Sequence, residues 1–265
     1  MGESVMDSLA ASQKQFDHDE PPVSQLLPSI SVIIPAFNEA QTIEATLRRI
    51  SEYFSGSRRL QEIVVVNDGS TDGTAEVVRN FASDKKYVRL ITSNANRGKG
   101  YSVRQGMLTG TGDLLLMCDA DLSTPIEELE KLLPWLQRGY DIVIASRDLP
   151  DSRLELPQPA LRRGLATIFR GLRRLLILRS LRDTQCGFKL FRRDTARKVF
   201  GYQRDNGWLF DCEILAVAER LGVRIKEVGV NWRDHAPSRV RLLRESLRVL
   251  PALLRLRWRL TRIPS

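Results

Sequence analysis

The sequence predicts an α/β fold built on a doubly wound, mostly parallel sheet. Short apolar, β-branched runs alternate with segments of helical periodicity over residues 1–150. The chemically interesting polar residues fall just after those runs, where open α/β sheets bind their ligands. At 265 residues and 42% hydrophobic content, the chain has the material for one sizeable domain or at most two small ones.

The elements follow in order. Met1–Ser29 is acidic and polar, without an apolar stretch of signal-peptide type, and residues 1–28 are expected to form a disordered tail. Ser31–Pro35, Glu62–Asn67, Val88–Thr92, Asp113–Cys118 and Asp141–Ala145 read as buried strands. Between them, Ala40–Phe54, Asp72–Ala82, Gly98–Leu108 and Pro125–Gln137 have helical spacing. Thr71 or Asp72 is suited to cap the second helix, and Thr124-Pro125 to open the fourth. Further on, Leu161–Leu178 and Leu209–Leu221 read as helices, and Gly187–Arg193 and Arg224–Trp232 as strands. A basic helical segment, Arg239–Arg262, follows, with Pro251 expected to kink it. The domain proper is expected over 29–238 and the basic segment over 239–265.

Composition narrows the chemistry. Three cysteines (Cys118, Cys186, Cys212), none in a C-x-x-C pair, read as reduced thiols of a cytosolic protein. Only two histidines occur, His18 and His235, which argues against zinc sites and most His-based nucleophile triads. Residues 1–150 hold 15 Lys and Arg against 21 Asp and Glu, a net of −6, whereas residues 151–265 hold 26 against 11, a net of +15. Such asymmetry points the second half at an anionic partner, whether lipid surface, nucleic acid or phosphorylated substrate.

Asp119 and Asp121 follow a buried strand. Residues two apart in extended chain point to one side, and paired carboxylates without nearby His or Cys suit Mg²⁺ or Mn²⁺. Such an ion bridges a diphosphate, with Ser123 in position to add an oxygen. The plain alternative is a loop-capping turn that carries two acids; the preceding strand and Asp68 at a neighbouring strand end favour the metal. Phe37 and Glu39 after the first strand, and Asp68 after the second, can meet a base and ribose, although each segment alone also reads as an ordinary helix start or turn. No dinucleotide fingerprint follows the first strand, and Arg97-Gly98-Lys99-Gly100 lacks Walker A spacing.

An acceptor that is itself a phosphate needs no base, because its second pKa near 6 leaves it mostly dianionic at neutral pH. It needs cations, and Leu161–Arg182 holds seven Arg with no acid. On a helix, Leu161, Leu165, Ile168, Phe169, Leu172, Leu175 and Leu176 share one face. Arg163, Arg170, Arg173 and Arg174 lie opposite, with Arg162 at the border. Arg239–Arg262 repeats the theme with eight Arg and one acid. Both patterns fit an interfacial membrane helix and a core-packed helix with a solvated basic face equally well. If the acceptor were a hydroxyl, Asp211 is the candidate base.

Several motifs together resemble glycosyltransferase family 2: Ser31-Val32-Ile33-Ile34-Pro35-Ala36-Phe37-Asn38-Glu39, Val66-Asn67-Asp68-Gly69-Ser70 and Asp119-Ala120-Asp121. Asp183-Thr184-Gln185-Cys186-Gly187-Phe188-Lys189-Leu190-Phe191, Trp208–Glu213 and Val230-Asn231-Trp232 resemble its dolichyl-phosphate β-glucosyltransferase branch. The resemblance implies a GT-A fold with C-terminal basic amphipathic helices, and inverting transfer of a hexose, glucose from UDP-glucose, to dolichyl or polyprenyl phosphate. GDP-mannose as donor and a hydroxyl acceptor are the alternatives. By analogy Pro35, Phe37, Glu39, Asp68, Lys99 and Asp119 hold the nucleotide-sugar, and Asp119, Asp121 and Ser123 hold Mg²⁺ or Mn²⁺. Asp121, Arg147 and Arg162 are the implied catalytic set, and Arg162, Arg163 and Arg239 the acceptor-phosphate set; Arg239 stands where relatives often carry a lysine. The implied setting is peripheral, on the cytoplasmic face of a membrane, with no nucleic-acid partner. A non-enzymatic nucleic-acid-binding module would leave the strand-end aspartates without a purpose.

Overall fold

The computed structural model describes residues 27–154, 170–233 and 242–264, the last group with side chains from 250 onward. The chain runs β1 (Ile30–Ala36), α1 (Ile43–Tyr53), β2 (Leu60–Asn67), α2 (Thr74–Ala82), β3 (Val88–Thr92), α3 (Lys99–Thr109) and β4 (Leu114–Met117). A 3₁₀ turn at Ile126–Glu128 leads into α4 (Leu129–Gln137), followed by β5 (Ile142–Ser146) and β6 (Arg153–Leu154). After the helical residues 170–176 (α5) come β7 (Lys189–Arg192), α6 (Arg193–Tyr202), α7 (Phe210–Arg220), β8 (Ile225–Gly229), β9 (Asn231–Trp232) and α8 (Leu242–Leu260).

The main sheet has the order β3-β2-β1-β4-β7-β5-β8. All neighbours pair in parallel except β7, which runs antiparallel to both β4 and β5. Strand order reverses between β1 and β4, so the loops after these two strands flank a crevice. Alternation along β1 sends Ile30, Val32 and Ile34 to one core, with α1, α2 and α4, and Ile33 to the other, with α3, α6 and α7. This is the doubly wound, mostly parallel arrangement the sequence implies.

Several expectations change. Helix α1 starts at Ile43 because Glu39–Thr42 forms a turn, with the Thr42 amide donating to the Glu39 carbonyl at 3.0 Å. The cap of α2 is Gly73, at φ 88°; Asp72 instead accepts from the Thr74 amide at 3.1 Å. Pro125 stays extended, and the chain enters the 3₁₀ turn after it. The expected strand 224–232 breaks at Val230: β8 joins the main sheet, while β9 pairs with β6 in a separate two-stranded ribbon. Helix α8 runs from Leu242 to Leu260 with Pro251 inside it.

The largest correction concerns Arg173. Arg173, expected on a polar face, is fully buried, and its guanidinium donates to the carbonyls of Leu178, Leu181 and Arg182 at 2.8–3.3 Å. It ties down carbonyls beyond the end of α5, although desolvation still lowers the guanidinium below its usual value. Leu175, on the apolar face of the expected helix, is 62% exposed.

Candidate active site

The loops after β1, β2 and β3 are bonded into one assembly. Asn38 takes a left-handed conformation, φ 55°, which its short amide side chain tolerates. Its amide donates to Ser70 Oγ and its Oδ1 accepts from the Thr71 amide, both at 2.9 Å. The Glu39 amide donates to Thr74 Oγ1, and the Ala40 amide to Asp72 Oδ2. The Glu39 carboxylate accepts from Thr42 Oγ1 at 2.7 Å. Asp68 is buried, and its two oxygens accept from the amides of Arg97 and Gly98 at 2.9 and 2.8 Å. Placed by sequence among nucleotide contacts, it is also the clamp that shapes the 95–98 loop. Gly69 is needed there: at φ 70° an added Cβ would lie 2.5 Å from the Ala95 carbonyl carbon. Phe37, at 40% exposure, stands at the mouth of this crevice beyond Pro35.

At the end of β4, the Cys118 amide bonds the Ile33 carbonyl at 3.0 Å, so the strand delivers Asp119 directly into the crevice beside β1. Thr46 Oγ1 of α1 fixes the Ala120 carbonyl at 2.6 Å. Leu122 has φ 48°, a strained value for a branched side chain, and its turn closes with the Leu122 amide on the Asp119 carbonyl. The Ser123 amide donates to Asp121 Oδ1 at 2.9 Å, and the Ser123 carbonyl accepts from the Arg233 amide at 2.8 Å. Ser123 is buried and holds Asp121 in place through its backbone.

Lys99, at the first turn of α3, reaches Asp119 Oδ1 at 2.5 Å. Burial pushes the Asp119 carboxyl up, but Lys99 foremost, with Lys189 and Arg147, outweighs it and keeps the group below the ordinary carboxylate range. The other Asp119 oxygen lies against Gly187, where an added Cβ would sit 1.9 Å from Oδ2. Among the described residues, no three His, Cys, Asp or Glu side chains form a complete metal cage. Two carboxylates on an anchored turn nevertheless fit a hard divalent ion that takes its other ligands from phosphate and water.

Beneath this floor lie Asp211 and Arg147, with two charged partners, Lys189 and Asp183, to which the sequence reading gave no role. Lys189 is fully buried; its ammonium bonds the Cys186 carbonyl at 2.7 Å and the Asp211 carboxylate. Asp211 is 2% exposed, and burial raises its carboxyl against the opposing pull of Lys189 and Lys99. Asp211 is thus shielded from solvent and ion-paired with Lys189. Arg147, after β5, forms a two-nitrogen pair with buried Asp183 at 2.7 and 3.0 Å, and its guanidinium lies 5.5 Å from the Trp232 ring centre. Burial works to raise Asp183, but Arg147 and two backbone amides outweigh it and bring the carboxyl to about 2. The three thiols are free and buried, and desolvation pushes Cys186 up to about 11 and Cys212 up to about 12, so none is a nucleophile at neutral pH.

A second wall comes from residues 203–208. Glu213 of α7 accepts from the Arg204 and Asp205 amides at 2.9 and 2.6 Å, and Gln203 Nε2 donates to the Gly100 carbonyl at 2.8 Å. The loop rests on α3: an added Cβ at Gly98 would lie 2.2 Å from the Asn206 carbonyl oxygen. It carries Trp208, 49% exposed, with Lys99 Nζ 5.3 Å from the ring centre. A cavity of about 450 Å³ is lined by Asp148, Arg170, Gly171, Arg174 and Arg182. Arg170 pairs with Asp148 at 3.0 Å, and the Asp148 carboxyl is raised by burial and by Asp183. Arg162, Arg163 and Arg239 lie outside the described residues.

Comparison with known proteins gives a consistent result. Residues 31–200 match the family described as Glycosyl transferase family 2. The glycosyltransferase AglD of Haloferax volcanii is 34% identical over 236 residues, which is 88% of this chain but only 37% of that one. A dolichyl-phosphate beta-glucosyltransferase of Dictyostelium discoideum is 34% identical over 242 residues, 87% of this chain and 74% of that one. In fold, the chain resembles glucosyl-3-phosphoglycerate synthase from Mycobacterium tuberculosis, whose crystal structure holds Mn²⁺, UDP-glucose and phosphoglyceric acid. The TM-score is 0.66 at 22% identity, covering 90% of this chain and 81% of that one.

Proposed function

This chain belongs to glycosyltransferase family 2, with its GT-A type sheet, and on that premise we propose that it transfers a hexose from a nucleotide-sugar to a polyprenyl phosphate such as dolichyl phosphate, with inversion. The proposed donor is UDP-glucose, in keeping with the Dictyostelium relative, a dolichyl-phosphate beta-glucosyltransferase, and with the UDP-glucose bound in the mycobacterial neighbour. The observation that carries the reading is the Asp119–Asp121 turn, anchored by β1, α1 and the residue after β9, at the strand-order reversal of the sheet.

Asp119 and Asp121, with Ser123 beside them, would hold Mg²⁺ or Mn²⁺, and the ion would supply positive charge for a departing diphosphate. Pro35, Phe37, Glu39 and the Asp68-clamped loop form the nucleotide cradle. Lys99 brings a second cation to the same end of the donor. Arg147, immobilised by Asp183, is proposed to act at the donor diphosphate, and the cavity of Arg170, Arg174 and Arg182 would offer guanidinium groups to the attacking phosphate, with Arg162, Arg163 and Arg239 its other proposed contacts. An ionised phosphate needs no base, and the burial of Asp211 against Lys189 supports a positioning role for it. The proposed location is peripheral, on the cytoplasmic face of a membrane; no helix among the described residues is long and apolar enough to cross one.

The test incubates purified protein and polyprenyl phosphate with Mn²⁺ and a panel of UDP- and GDP-sugars. Lipid-linked glucose is expected with UDP-glucose, abolished by chelator and reduced about 100-fold or more in Asp121→Asn. Product with GDP-mannose alone would move the donor assignment. An Asp121→Asn protein as active as the parent in the presence of chelator would overturn the mechanism.

A further inference from the structure

Helix α8 has one face that packs and an opposite face that water should not favour. At 3.6 residues per turn, Leu253, Leu256, Leu260 and Ile263 share a side. That side meets the core: Leu253 and Leu256 are fully buried, and Leu260 and Ile263 pack against the cluster under α3, α6 and α7. The helix is firmly seated, with Arg259 paired to buried Glu213 at 3.2 Å and Arg220 Nε bonded to the Ile263 carbonyl at 2.9 Å. A helix docked in this way is normally polar on its far side. Here the far side presents Leu250 at 45%, Leu254 at 50% and Trp258 at 57% exposure, at i, i+4 and i+8, with exposed Pro251 between them.

Arginines border this stripe. Arg255 and Arg262 lie on one flank and Arg257 on the other; the Arg262 guanidinium stacks 3.6 Å from the Trp258 ring centre. No Asp or Glu occurs from Ser246 to Ser265. Arg257 also donates to the Leu176 carbonyl at 3.1 Å, which joins α8 to the end of α5, where Leu175 is 62% exposed beside exposed Arg174.

We propose that this face is a docking surface for an anionic lipid bilayer, with α8 lying in the plane of the interface. Leu250, Leu254, Trp258 and Leu175 enter the acyl boundary, and Arg255, Arg257 and Arg262 reach lipid phosphates. Three features select a bilayer as the occupant. An indole with flanking guanidinium groups is matched to a boundary that is apolar on one side and anionic on the other. The net charge of +15 over residues 151–265 draws the same half of the molecule to an anionic surface. A second copy of the chain would bring like-charged arginines face to face, which disfavours a symmetric dimer through this patch. The inference deepens the polyprenyl phosphate reading and rests on it only for why a lipid surface is wanted.

The experiment is flotation of the full chain with phosphatidylcholine vesicles, with and without phosphatidylglycerol. Binding is expected only when the anionic lipid is present, with a blue shift of tryptophan emission that is absent in Trp258→Phe. Leu254→Ser/Trp258→Ser and Arg255→Glu/Arg262→Glu should each reduce binding about tenfold or more. Their circular dichroism and thermal midpoints should match the parent, since these side chains face outward. Turnover of a short, detergent-dispersed polyprenyl phosphate should be unchanged in both variants, and turnover of bilayer-embedded acceptor should fall. Parent-like flotation of both variants would overturn the proposal. So would a parent dimer that the substitutions convert to monomer, because a second copy would then be the occupant. Failure to use the short acceptor, with vesicle binding intact, would count against the acceptor reading and leave the docking surface standing.

Discussion

At Gly187, one absent methyl group decides where the Asp119 carboxylate points. A Cβ there would fall 1.9 Å from Asp119 Oδ2 and 2.3 Å from its Cγ, so any side chain pushes Asp119 off its position. Gly187→Ala should fold normally, lose activity about 100-fold and need more metal for half-activation. Metal titration of activity, with thermal melting as the folding control, checks this. The sequence exposes Gly187 as part of a recognisable run but gives no sign that it touches Asp119, because β7 and β4 are brought together only by antiparallel pairing across the sheet. Asp68 carries the same lesson. Its place after β2 is legible, yet its grip on the Arg97 and Gly98 amides depends on a loop distant in the chain. Arg173 was unreadable for another reason: a periodic pattern cannot show that a guanidinium will turn inward to satisfy carbonyls past its own helix end.

Among the elements, α3 is the one whose position the site depends on most, since Lys99 stands at its start. It lies close against β1 at Gly106, where an added Cβ would sit 2.2 Å from Ile33 Cγ2 and 3.3 Å from Val66 Cγ2. Helix propensity favours Gly106→Ala by about 1 kcal/mol. The clash with two branched core side chains should win, and the variant should be destabilised by about 1–3 kcal/mol. Urea unfolding with an unchanged slope and a lower midpoint is the expected result. The elements of the first half lie within a few residues of their sequence positions, because buried parallel strands and one-faced helices leave strong periodic signals. The second half is harder. Helix α6 follows β7 without an intervening residue, so no turn chemistry marks where the strand stops and Arg193–Tyr202 begins. The break at Val230 is invisible for the converse reason: a continuous extended run gives no clue that β9 leaves the main sheet for β6.

At the scale of the whole molecule, acid stability depends on buried pairs beneath the site. The Asp183 carboxyl falls from 3.8 to about 2 on folding, and a depressed carboxyl contributes stability above its unfolded value. That contribution, about 2 kcal/mol, is fully present at pH 7 and is lost as pH falls from about 4 through about 2. Asp183→Asn, which leaves Arg147 unpaired, should be about 3 kcal/mol less stable than the parent at pH 7. The gap should stay flat down to pH about 4 and then narrow by about 2 kcal/mol on further acidification. Urea denaturation of both proteins from pH 7 to pH 2.5 checks it, and a constant gap would show that the pair is not what titrates. Taken alone, the sequence determined the class of fold, the strand ends that carry Asp68, Asp119 and Asp121, and the split of charge between the two halves. These are properties of local pattern and composition, and the family motifs ride on them. Only the tertiary structure decided which carboxylates are free to meet a ligand and which are committed to Lys189, Arg147 or backbone amides. It also decided that α8 turns an apolar stripe outward, because a periodic sequence specifies that a helix has faces but not which of them the rest of the molecule will cover.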